Sequence, residues 1–129
     1  MKRKGYAFDT TENGKLAVEL VKQDFEKHKL LLMDNLMPEL NGADAAKELR
    51  RLGYPYLICG LTGNVHDDDV DDYLTNGADL VIAKPMKEQY FNLILAFIGE
   101  HGPLSRRHEG KILKIGTTVE WVDYVSIIV

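Results

Sequence analysis

The chain has 129 residues, 45% of them hydrophobic and 28% charged, which suits one soluble globular domain built on one core. A net charge of −4 and a pI near 5.5 argue against direct nucleic-acid affinity. The single cysteine, Cys59, excludes a disulfide scaffold, and the apolar runs are far too short to cross a bilayer. Met1-Lys2-Arg3-Lys4 is followed by Gly-Tyr-Ala-Phe-Asp rather than an apolar run, so no signal peptide is expected and the chain reads as cytoplasmic.

Gly5 to Asp9 (GYAFD) reads as a short strand, and Thr10 to Gly14 turns the chain into a helix with Leu16, Ala17, Leu20, Val21 and Phe25 on one face. Leu30 to Met33 (LLLM) is a continuous apolar run, the pattern of a strand covered on both sides. A loop over Asn35 to Gly42 leads to a helix from Ala43 to Leu52, with Ala46, Leu49 and Leu52 inward. Tyr56 to Leu61 (YLICGL) is another buried strand. Val70, Tyr73 and Leu74 mark a helix that stops at Asn76-Gly77. Leu80 to Ala83 (LVIA) is the next strand and Met86 to Ile98 the last helix of this series. Strands alternating with helices over short connections specify a doubly wound α/β domain with parallel strands. Such a sheet carries its chemistry in the loops beyond the carboxyl ends of its strands.

Three polar residues stand at those ends: Asp34 after LLLM, Thr62 after LICGL and Lys84 after LVIA. Asp34 and Thr62 are 28 residues apart and Thr62 and Lys84 22, one crossover each. A carboxylate, a hydroxyl and an ammonium therefore converge on one rim. An aspartate can attack a phosphoryl group and form an acyl phosphate. The three phosphoryl oxygens then need charge neutralisation, which Lys84 and the Thr62 hydroxyl can supply. Mg²⁺ would offset the repulsion between Asp34 and phosphate; it takes about six oxygens, usually from one or two carboxylates, phosphate and water. Pro85 after Lys84 is a candidate cis-proline that would turn the lysine over the site.

These residues resemble the receiver domains of two-component systems. MDNLMPELNG (33–42) is similar to that family's phosphoacceptor loop, GLTGN (60–64) to its switch-hydroxyl segment and NGADLVIAKP (76–85) to its lysine segment. The resemblance covers residues 1 to about 101 and implies a flavodoxin-like fold. It further implies that Asp34 takes phosphate from a phosphohistidine, that Thr62 is the switch hydroxyl and that Lys84 pairs with the phosphoryl group. Asp34 and the Leu36 backbone carbonyl would be metal ligands. The implied partner is a histidine kinase or a histidine phosphotransfer protein, as in a response regulator or hybrid sensor kinase, and a dimer is allowed. The chain would be a signalling module rather than an enzyme.

The family's pattern begins with a strand ending in two acidic residues and a first helix. Here Met1 falls late in that helix, so the domain reads as N-terminally truncated and short of its main Mg²⁺ ligands. Residues 102–129 form an unassigned tail. It can turn as a hairpin at Gly116-Thr117, or it can send a strand, Lys111 to Ile115 or Tyr124 to Val129, into the gap beside LLLM. Trp121 and Tyr124 can cover apolar surface. The acidic run of Asp67, Asp68, Asp69, Asp71 and Asp72 favours the positive end of a helix rather than a metal. The alternative function is a receiver-like binding module that is not phosphorylated.

Overall fold

The computed structural model describes residues 2–3, 6–7, 14–34, 42–63, 67–84 and 87–123. Two short antiparallel strands come first, β1 (Lys2–Arg3) and β2 (Tyr6–Ala7), with Lys2 opposite Ala7 and Arg3 opposite Tyr6. Lys2 and Arg3 form a strand where the family's element order would have the end of a helix, and Met1 and Lys4 lie outside the described residues. Gly5, Phe8 and Asp9 lie outside the described residues.

Helix α1 (Gly14–Lys22) buries Val18 and Val21, with Ala17 partly covered, while Leu16 stays 48% exposed. The helical stripe therefore runs through Ala17, Val18 and Val21 instead of through Leu16. Phe25 sits beyond the helix in a 3-10 turn (Phe25–Lys27), whose start is capped by the Asp24 carboxylate accepting from the Glu26 N–H at 3.0 Å.

Three parallel strands then alternate with three helices: β3 (Leu30–Asp34), α2 (Gly42–Arg51), β4 (Leu57–Thr62), α3 (Asp67–Asn76), β5 (Leu80–Ala83) and α4 (Glu88–His101). The sheet order is β3-β4-β5. Because side chains alternate along a strand, the sheet feeds two cores. Leu31, Met33, Ile58 and Val81 join α1, α2 and α3 residues such as Val18, Leu49 and Tyr73. Leu30, Leu57, Cys59, Leu80 and Ile82 join Ile94 and Phe97 of α4. One expectation for LLLM is corrected: Leu32 is 37% exposed, because β3 pairs only with β4 among the described residues and is the outer strand there. Leu52 also falls beyond α2 and is not inward.

The tail builds β6 (Lys111–Ile115) and β7 (Val119–Asp123), an antiparallel pair in which Leu113 faces Trp121 and the Gly116 N–H donates to the Thr118 carbonyl at 2.8 Å. These strands form a separate sheet, and Lys111 to Ile115 does not enter beside β3. The reason is the pattern of burial. Leu113 is buried against the α4-side core and Trp121 meets the Phe97 ring edge-on at 5.7 Å, while Lys114 remains in solvent. A central strand would have buried that ammonium. Tyr124 to Val129 lie outside the described residues.

The tail is anchored at the amino ends of the strands. The Leu57 N–H donates to Pro103 O at 3.0 Å, the Ser105 N–H to Pro55 O at 2.9 Å and the Leu113 N–H to Asp79 O at 2.8 Å. Asp79 is fully buried there. Its carboxylate accepts from Arg50 Nη2 at 2.7 Å, the Ile58 N–H at 2.8 Å and Ser105 Oγ at 2.6 Å. Arg50 also donates to the carbonyls of Gly77, Tyr54 and Tyr56, and Arg107 to those of Leu74 and Ala78. Burial raises the Asp79 carboxyl, against the pull of Arg50, and burial likewise lowers the Arg50 guanidinium. One acid therefore ties α2, β4 and the tail to the head of β5.

Candidate functional site

The parallel register sets the positions of the three rim residues. Asp34 lies opposite Leu61, and Thr62 opposite Ala83, so Asp34, Thr62 and Lys84 occupy neighbouring strand ends. The Lys84 N–H donates to the Thr62 carbonyl at 2.8 Å, which extends the β4–β5 ladder by one bond and aims the lysine back across the rim. Its ammonium reaches Asp34 Oδ2 at 2.5 Å. Both side chains keep about a third of their surface in solvent, and Thr62 is buried at the end of β4. Asp34 and Lys84 thus meet as a charge pair, and Thr62 is joined to Lys84 through the backbone.

A carboxylate held against a cation at an open rim can act as a nucleophile toward an incoming anion, because the cation is already placed to take the developing negative charge. Leu36, Pro85, Met37 and Pro38 lie outside the described residues. Among the described residues no group of three or more His, Cys, Asp or Glu is arranged to hold a metal ion. The described part of the rim offers one carboxylate, already engaged by Lys84, and this donor set does not by itself match the oxygen cage that Mg²⁺ takes. Asp71 and Asp72 are exposed on α3.

Sequence reasoning passed over a second layer beneath the rim. Tyr73, read only as a marker of helix α3, is fully buried, and its hydroxyl donates to the Met33 carbonyl at 2.5 Å, one residue before Asp34. Burial pushes its phenol up, and the Asp34 carboxylate adds to the shift. The signal that could have exposed this contact is the pair of glycines Gly42 and Gly60. A Cβ at Gly60 would come within 2.8 Å of the Tyr73 ring, and one at Gly42 would overlap its hydroxyl.

The fold has counterparts among known proteins. A family profile described as response regulator receiver domain matches residues 1–95. The two-component response regulator ORR41 of Oryza sativa subsp. japonica is 34% identical over 92 residues, 71% of this chain and 72% of that protein. The response regulator SaeR of Staphylococcus aureus is 37% identical over 83 residues, 63% of this chain. The chain spans 34% of SaeR's own length. Among solved structures, the receiver domain of the sensor histidine kinase PA1611 from Pseudomonas aeruginosa PAO1 matches with a TM-score of 0.65 at 31% identity. The match covers 74% of this chain and 79% of that one, whose active-site cleft holds a coordinated magnesium ion.

Proposed function

This chain belongs to the response regulator receiver domain family, and from that premise we propose that Asp34 is its phosphoacceptor. The observation that carries the reading is the contact between Lys84 Nζ and Asp34 Oδ2 at the carboxyl rim of the sheet. A carboxylate oxygen of Asp34 attacks the phosphorus of a phosphohistidine on a histidine kinase or histidine phosphotransfer protein. The P–N bond breaks, the imidazole leaves and takes up a proton, and an acyl phosphate forms. Lys84 exchanges its carboxylate contact for a phosphoryl oxygen, and the Thr62 hydroxyl donates to another, so the carboxyl rim of the sheet settles in a second arrangement.

Mg²⁺ is the cation that such a transfer calls for. From this chain Asp34 and the Leu36 carbonyl are the proposed ligands, and Pro85 is the residue proposed to set the lysine turn. The single carboxylate of the described rim favours a second reading, in which the chain is a receiver-like interaction module that binds its partner without accepting phosphate. Incubation with acetyl phosphate and Mg²⁺, followed by intact mass measurement, separates the two. One added phosphoryl group on the parent chain and none on Asp34→Asn supports the acceptor. An unmodified, folded parent supports the binding module.

A further inference from the structure

Tyr73 reaches from α3 to the strand that carries Asp34, across 40 residues of sequence. Its ring lies over Gly60 of β4, and the parallel register puts Gly60 directly opposite Met33 of β3. The hydroxyl therefore crosses from one strand to the next and meets the Met33 carbonyl, immediately before the acceptor. The space for this is made by two missing side chains. A Cβ at Gly60 would fall 2.8 Å from ring carbons of Tyr73. A Cβ at Gly42 would overlap the hydroxyl and fall 2.8 Å from the carbonyl oxygen of Asp34 itself. Interiors are packed closely enough that such a slot admits the ring in one orientation only. A buried hydroxyl also needs its acceptor, so the bond to Met33 fixes the depth of the ring as well.

We infer that Tyr73 is a positioning residue, a strut that sets the end of β3 relative to α3 and carries a change at Asp34 into that helix. The inference rests on Asp34 being the acceptor for its consequence in phosphoryl transfer, and on the geometry alone for the coupling. The strut hands on to α3 whatever part of a change at Asp34 reaches the Met33–Asp34 peptide. That peptide is held by a rigid ring rooted in α3, so α3 moves with it.

The test uses the full chain and Tyr73→Phe, which keeps the ring and removes only the hydroxyl. The backbone amide NMR spectrum is recorded for the parent, Asp34→Asn, Tyr73→Phe and the double variant. The strut predicts that Asp34→Asn shifts the amides of residues 70–76 when introduced into the parent and leaves them in place when introduced into Tyr73→Phe. Equal shifts in both backgrounds would overturn it, since packing alone would then carry the change. The rate of modification by acetyl phosphate is measured in parallel and is expected to fall about tenfold in Tyr73→Phe, the scale of one positioning hydrogen bond. A parent chain that takes no phosphoryl group overturns the acceptor reading, and the amide comparison still decides the strut. Gly60→Ala, which pushes the ring from its slot, should reproduce the Tyr73→Phe pattern.

Discussion

Lys84 holds the carboxylate of Asp34 from fifty residues away, at the point where β5 leaves the sheet. The pair is partly open to solvent, so it adds little to stability; exposed ion pairs contribute roughly 0–1 kcal/mol. Its value lies in the charge it places beside an incoming phosphoryl group. Lys84→Ala should therefore leave the urea midpoint nearly unchanged and slow modification by acetyl phosphate on the order of a hundredfold. A loss of stability that matches the loss of rate would reassign the lysine to the fold.

The buried pair of Arg50 and Asp79 behaves in the opposite way. Arg50→Met removes the cation and leaves a buried carboxyl with only Ser105 and the Ile58 N–H. Breaking such a pair costs about 3–5 kcal/mol. The pH dependence has a definite sign. Burial already raises Asp79 in the folded chain, and a carboxyl raised on folding favours the folded state at low pH and loses that contribution as pH rises through its folded value. Without Arg50 the raise is larger. Denaturation by urea should show Arg50→Met losing more stability near neutrality than at a pH close to the ordinary carboxylate value of about 4. An equal loss at both would mean that Asp79 does not ionise in the core.

The tail is part of the folded unit by the criterion of burial. Leu113→Ala should cost about 2–5 kcal/mol in urea denaturation, the range for a truncated core leucine. Because Trp121 is the only tryptophan and rests on Phe97, its fluorescence should follow the same transition as the far-ultraviolet circular dichroism. An earlier, separate fluorescence transition would mean that the hairpin opens independently of the sheet.

The alternation of strands and helices was legible because short continuous apolar runs alternate with segments of helical period, and the rim was legible because Asp34, Thr62 and Lys84 stand at the ends of the three short runs. Which residues a helix buries was less so: Leu16 and Val18 are equally apolar, and only the packing of α1 on α2 decides that Val18 goes inward. Asp79 is a lone acid before an apolar run, indistinguishable in sequence from a loop residue, because its partners Arg50 and Ser105 lie 29 and 26 positions away. The place of the hairpin depended on the same kind of long-range contact. Lys114 gave a hint against a central strand, but the seat of Leu113 beside α4 exists only once β5 and α4 are folded.

The central claim is that Asp34 accepts a phosphoryl group, and the most direct measurement locates the acyl phosphate by residue. The chain would be incubated with Mg²⁺ and a phosphorylated histidine phosphotransfer domain, treated with borohydride to reduce any acyl phosphate to an alcohol, digested and sequenced by tandem mass spectrometry. The account predicts homoserine at position 34 in the treated parent. Homoserine at one of the acids of α3 instead, or at no position of a folded chain, would contradict it.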